Sequence, residues 1–276
     1  MAKAKPKTTK KSTTSKKTTA TTNRGWLYLL LMAAGAAMVV VVWYFVAQWQ
    51  EQEAIAKADA AIYSAYGVAM PAKYGIHGID VSRHQSTIAW KKVASMNVAN
   101  VKIGFAFIKA TEGIDDVDKN FDKNYHEAKK AGMVRGAYHF FLPNKDGKAQ
   151  AQHFLDKAQL SSGDFPPVID IEQLYGTAPA VMKKRLQDCI AVLEEAYKVK
   201  PIIYSYVDFY EHYLGKDFNA YPLWIAHYDE PEKPRIARTW IFWQHSEEAH
   251  VNGITTPVDC NVFNGDSSAF KQLLLK

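Results

Sequence analysis

The first strong pattern along the chain is an unbroken apolar run. From Gly25 to Ala47 no position is charged, and Trp26, Leu27, Leu29 to Met32, Met38 to Val42 and Phe45 supply its bulk. At a helical rise of about 1.5 Å per residue, this length spans a hydrocarbon core of about 30 Å. Trp26, Tyr28, Trp43, Tyr44 and Trp49 cluster near its ends, where amphipathic rings favour the membrane interface. The pattern predicts a single transmembrane helix over residues 25–47. A cleaved signal peptide is the alternative, because Ala54-Ile55-Ala56 resembles a small-residue cleavage site. The apolar run exceeds the roughly 7 to 15 residues of such signals, which favours a retained anchor. Residues 48–73 are Ala-rich with scattered charge and read as a helical continuation or stalk, broken by Pro71 and Gly75.

From Tyr74 onward the period changes. Short β-rich runs at 76–81, 101–109, 134–141, 167–172, 201–206, 223–228, 240–245 and 258–262 alternate with amphipathic helical stretches. These stretches lie at 88–95, 120–131, 147–159, 179–199, 207–214 and 267–275. Strand–helix alternation of this kind predicts a mainly parallel sheet covered by helices. The last three strands lack helix-length separations, so the α/β architecture expected is a distorted TIM-like (β/α) barrel of about eight strands with an incomplete helix ring. One domain over residues 74–276 accounts for the pattern.

Charge changes the picture at one end only. The net charge is +6, but residues 1–24 hold seven Lys, one Arg and no acid, leaving 26 basic and 28 acidic groups in the remainder. That Lys/Thr/Ser/Ala segment cannot bury an apolar face and reads as a disordered basic tail. Its charge argues for a cytoplasmic N-terminus with the rest exported, facing the periplasm or cell wall across the inner membrane. A nucleic-acid partner is not expected, since the folded part carries no basic excess.

The candidate chemistry sits where the apolar runs end. Asp80, Tyr138 and His139, Asp170 and Glu172, Tyr204 and Tyr206, Trp224 and His227, Gln244 and His245, then Asp259 and Asn261 finish successive strands. In a β/α barrel such ends converge on one face. Aromatic rings mixed with carboxylates and amides suit a sugar. The sharpest signal is Val168-Ile169-Asp170-Ile171-Glu172. Residues two apart in a strand share a face, so the two carboxyls stand side by side. Adjacent carboxyls in a low-dielectric pocket cannot both ionise easily, and one is left as a general acid, which is the pairing glycoside hydrolysis uses.

These residues also carry a family resemblance. Gly78-Ile79-Asp80-Val81-Ser82, Phe107-Ile108-Lys109-Ala110-Thr111-Glu112-Gly113, Gly136-Ala137-Tyr138-His139-Phe140, Asp170-Ile171-Glu172, Pro222-Leu223-Trp224-Ile225-Ala226 and Val258-Asp259-Cys260-Asn261 stand in this order. Together they resemble a family 25 glycoside hydrolase, the barrel lysozymes that cleave peptidoglycan as N-acetylmuramidases. The resemblance covers roughly residues 75–275. It implies Glu172 as the acid that protonates the glycosidic oxygen. It implies Asp170 as the partner that stabilises charge at the anomeric carbon, as nucleophile or by orienting the substrate's N-acetyl group. Asp80 and Asp259 match the family's two further acidic positions. Tyr138, Tyr206, Trp224 and Gln244 are candidates for sugar contacts, while Lys109 and Glu112 read as a surface pair.

No cofactor is expected. None of the nine His forms a His-x-x-x-His pair and the two Cys lack zinc spacing, so a metal site is not expected either. The expected partners are peptidoglycan glycan strands and a membrane. A non-catalytic sugar-binding protein and a chitinase-like hydrolase are the competing readings, and an oligomeric state is not specified by the sequence.

Overall fold

The computed structural model describes residues 24–71 and 73–276, with residues 1, 2 and 4. The basic tail expected over residues 1–24 lies almost wholly outside the described residues. The chain divides into two compact units, Met1–Ala54 and Ile55–Lys276.

Helix α1 runs without interruption from Gly25 to Tyr66, and its apolar part is long and hydrophobic enough to cross a membrane. It ends earlier than Pro71 and Gly75 suggested. Gly67 adopts φ +73° and donates its N–H to the Tyr63 carbonyl at 2.8 Å, a left-handed terminus that favours glycine. The last turns of α1 are also not a free stalk. Ile62 and Tyr66, four residues apart and so on one helix face, are buried with Met70 and Tyr74 in the core of the second unit. The Tyr66 hydroxyl donates to the Val101 carbonyl at 3.1 Å, and the Tyr66 carbonyl accepts the His250 N–H at 2.7 Å.

Eight strands close a barrel: β1 (His77–Val81), β2 (Val101–Glu112), β3 (Val134–Phe140), β4 (Val168–Asp170), β5 (Ile202–Tyr206), β6 (Leu223–Ala226), β7 (Phe242–Ala249) and β8 (Val258–Phe263). Neighbours from β1 to β7 pair in parallel, while β8 lies antiparallel between β7 and β1. The reversed last strand has a simple cause. Only residues 250–257 separate β7 from β8, too few for the crossover that a parallel return needs. Helices α2 (Trp90–Ser95), α3 (Phe121–Lys130), α4 (Gly147–Lys157) and α5 (Pro179–Tyr197) cover the early strands. Short helical turns fill residues 207–218, and α6 (Ser267–Leu273) follows β8. The helix ring is incomplete on the side of β6 to β8, as the spacing predicts.

Alternation along the strands sorts apolar side chains into two cores. Ile79, Ile108, Ile169, Ile203 and Ile225 point outward to the helices. Phe105, Phe107, Phe165, Val168, Trp224, Phe242 and Phe263 fill the barrel, and Phe270 of α6 packs among them. This aromatic filling requires glycine opposite it. A Cβ on Gly136 would lie 2.6 Å from the Phe107 ring, and one on Gly78 would enter the Phe105 ring. The filled lower barrel leaves its upper mouth open as a cleft.

Candidate active site

The same alternation decides which strand-end residues reach that mouth. Val168 packs in the barrel interior and Ile169 outside it, so Asp170 turns inward at the end of β4. Ile171 again points outward, and Glu172 lines the cleft beside Asp170. Tyr138, Tyr204, Trp224 and Gln244 face inward by the same parity. Their chain neighbours do not. His139 contacts Thr111 and Gln150, and His227 accepts the Arg235 N–H at 3.0 Å and lies 3.3 Å from Glu230. Burial lowers His139 and His245 to about 3, so neither is an acid–base group near neutral pH. None of His139, His227 and His245 lines the main cleft.

The cleft encloses about 590 Å³. Its carboxyls are Asp80, Asp170, Glu172, Asp259, Glu247 and Glu248, interleaved with Tyr138, Phe140, Tyr204, Trp224 and Tyr228. A side lobe of about 370 Å³ continues past Glu172 between Tyr204, Tyr206 and Tyr228. Tyr206, 40% exposed, therefore belongs to this lobe and not to the main cleft.

Asp80 is held at the end of β1 by a network that reaches across the barrel. Its Oδ2 accepts Gln244 Nε2 at 2.8 Å and Asn261 Nδ2 at 2.7 Å. Gln244 Oε1 in turn accepts the hydroxyls of Tyr204 and Tyr228, each at 2.7 Å, and Asn261 Oδ1 accepts Trp224 Nε1 at 2.7 Å. Burial pushes Asp80 up, the two amide donors pull it back, and it rests at about 6. Gln244 and Trp224, expected at the sugar, line the cleft and also belong to this network. The Gln244 amide donates one N–H to Asp80 and accepts both tyrosine hydroxyls. The Trp224 indole N–H is satisfied by Asn261 and the ring is stacked on Phe107 at 4.4 Å, so Trp224 forms the floor. Tyr138 remains in the cleft wall, half-buried.

Burial is also the main cause that raises Asp170 and Glu172 above the ordinary carboxylate range, Asp170 the further, and the charge of Glu172 adds to the rise at Asp170. Two carboxyls coupled in this way titrate as a unit. Asp170 Oδ1 is buried without a donor. Lys109, expected at the surface, lines the cleft instead with its side chain only 13% exposed, and its charge lowers both carboxyls. Asp259, opposite Asp80 in the β1–β8 register, is pushed up to about 9 by burial, then by Asp80 and Glu247.

Tyr204, Tyr228 and Asn261 are the network members whose part sequence reasoning did not assign. Tyr228 had a legible signal, being two residues beyond Ala226 and four beyond Trp224 on the inward parity. Tyr175, 42% exposed and three residues past Glu172, stands in a left-handed turn with φ +47° before Gly176 at φ +73°. It had no such signal. A coupled carboxyl pair amid aromatic rings can protonate a leaving glycosidic oxygen and stabilise the sugar cation that results.

Comparison with known proteins agrees with this chemistry. The family described as Glycosyl hydrolases family 25 matches residues 79–254. The chain is 44% identical over 200 residues to the uncharacterized protein YegX of Escherichia coli (strain K12), covering 72% of this chain and 74% of YegX. It is 36% identical over 210 residues to Lysozyme M1 of Streptomyces globisporus, covering 70% and 69%. The solved bacterial lysozyme from Streptomyces coelicolor superposes with a TM-score of 0.65 at 34% identity, covering 72% of this chain and 97% of that one. The matched residues include Asp80, Asp170 and Glu172, and the chain belongs to glycosyl hydrolase family 25, as a glycoside hydrolase.

Proposed function

We propose that this chain is a membrane-anchored peptidoglycan hydrolase, an N-acetylmuramidase that cuts the β-1,4 bond between N-acetylmuramic acid and N-acetylglucosamine. The observation that carries the reading is the electrostatically coupled Asp170–Glu172 pair at the mouth of an aromatic, carboxylate-lined cleft. Glu172 protonates the glycosidic oxygen, and Asp170 steadies the positive charge that develops at the anomeric carbon. Asp170 does so by orienting the substrate's own N-acetyl group for attack, and its donor-less Oδ1 suits an amide N–H. Glu172 carries the proton that the leaving oxygen receives. Asp80 and Asp259 support the pair electrostatically, and Tyr138 and Tyr206 contact sugar.

The helix at residues 25–47 anchors the protein in the inner membrane, N-terminus inside, with the barrel facing the periplasm or wall. Residues 1–24 form a cytoplasmic tail, and the uninterrupted helix through Ala54-Ile55-Ala56 supports retention of the anchor over cleavage there. The folded enzyme begins within α1, near Ile55, which supports moving the domain start upstream of residue 74.

The test is digestion of purified peptidoglycan by the full chain in detergent, with borohydride reduction of the new ends. Reduced muramic acid is expected. Reduced glucosamine would make the enzyme a glucosaminidase, and an absence of new ends would turn the reading to a sugar-binding protein. Glu172→Gln loses turnover by about 10²- to 10⁴-fold with the fold intact, and full activity in that variant would overturn the assignment.

A further inference from the structure

Lys109 reaches the cleft by the regular alternation of β2, after the inward Phe105 and Phe107, and an irregularity lies just beyond it. In the pairing of β2 with β3, Lys109 opposes Tyr138 but Thr111 opposes His139, so one extra residue is accommodated at Ala110. A bulge of this kind reverses the side-chain parity beyond it. Lys109 and Glu112, three apart and on opposite faces in a regular strand, are brought together with Nζ 2.7 Å from Glu112 Oε2. The ammonium also lies over the Phe140 ring, 4.7 Å from its centroid. Two anchors therefore fix one cation, with its side chain largely buried, in the wall beside Asp170 and Glu172. Among the described residues it is the single Lys or Arg in a cleft wall with six carboxyls.

We infer that Lys109 is a positioning residue that sets the charge state of the catalytic pair, and that Glu112 is its counterweight, which attenuates the field Lys109 exerts. The inference rests on the reading of Asp170 and Glu172 as the catalytic pair. The active form carries one proton on the pair. Lys109 favours the singly ionised form over the doubly protonated one, and it offsets the repulsion that builds when Glu172 gives its proton to the leaving oxygen. The other groups facing the pair push the opposite way or are neutral: Asp80 from β1, Glu247 and Glu248 from β7, Asp259 from β8, and the hydroxyls of Tyr138, Tyr175, Tyr204, Tyr206 and Tyr228. Lys109 is thus the counterion for that whole wall.

The two members of the pair make opposite predictions, which separates an electrostatic role from a merely structural one. Lys109→Met removes the cation, so both limbs of the pH–kcat/KM profile move to higher pH by about one unit. Glu112→Gln leaves the cation unattenuated, so both limbs move to lower pH. Lys109→Arg restores the wild-type limbs. The experiment is the pH profile of peptidoglycan hydrolysis by the full chain in detergent, wild type and these three variants, with thermal unfolding to confirm that each is folded. Opposite shifts establish the inference. Limbs that stay in place, or shifts of the same sign in Lys109→Met and Glu112→Gln, overturn it, and so does a Lys109→Arg profile that follows Lys109→Met. A Lys109→Met chain that fails to fold leaves the downward shift of Glu112→Gln as the deciding result. If wild type releases no muramic acid ends, or Glu172→Gln keeps its rate, the catalytic reading itself has failed, a result distinct from unmoved limbs.

Discussion

Asp80 and Asp259 stand directly opposite each other where the first and last strands pair, yet they are treated differently by their surroundings. Asp80 receives two side-chain amides and rests at about 6, whereas Asp259, with no side-chain donor from the described residues, is lifted to about 9. At neutral pH Asp259 is protonated in the fold and ionised in the unfolded chain. The unfolded state then binds fewer protons, so this group's contribution to stability falls as pH rises from about 4 to about 9. Asp259→Asn removes that dependence. Its melting temperature is expected to exceed wild type by about 2 to 4 °C at pH 8, with the difference closing toward pH 4. Thermal unfolding at both pH values checks this, and an equal difference at both would sink it.

Gln244 connects Asp80 to two tyrosines through one amide. Gln244→Leu leaves Asp80 with Asn261 alone and strands the hydroxyls of Tyr204 and Tyr228. The loss is expected at about 2 to 4 kcal/mol of stability, with Asp80 rising above its present value. Tyr228→Phe removes one of the three bonds and costs about 1 kcal/mol. Denaturant unfolding of the two variants measures both, and equal costs would show that Gln244 is not the hub.

Tyr66 ties the end of α1 into the barrel unit. Tyr66→Ala is expected to cost about 3 to 5 kcal/mol. A chain starting at residue 75 lacks Ile62, Tyr66 and Met70 and is expected to melt about 10 °C or more below one starting at Ile55. Calorimetry of the two truncations decides the point, since equal melting temperatures would mean that this segment is dispensable.

Tyr175 projects from the loop after Glu172, with its ring half in solvent. A ring so placed suits stacking against a sugar face. Tyr175→Ala is expected to raise KM about three- to tenfold with kcat unchanged. A fall in kcat with unchanged KM would instead make the ring part of the machinery around Glu172.

Much of this was legible in the sequence because both cores read directly from residue spacing. Each of the eight apolar runs became a strand, since each has outward aliphatics for the helices and inward groups for the barrel, as in Val168-Ile169-Asp170. The carboxyl pair was legible for the same reason. What was hidden depends on partners remote in sequence or on irregular backbone. The extra residue at Ala110, which turns Glu112 to the side of Lys109, leaves no compositional trace, so Lys109 and Glu112 read as a surface pair. Gln244 and Trp224 looked free because their partners Asp80 and Asn261 arrive from the two ends of the folded unit. Tyr66 was masked by the Ala-rich stretch around it, in which a few large residues, Ile62, Tyr66 and Met70, carry the contact.

The closing of the barrel by its first and last strands also has a temporal meaning. Asp80 finds its amides 164 and 181 residues downstream, and the second of them lies in the final strand. Contacts of such long sequence separation form late. A chain still being synthesised, or threaded only partway to its destination, holds a carboxyl pair on β4 but no seam to seat Asp80 beside it. The seam that seats Asp80 is therefore complete only once β8 has joined β1 and β7.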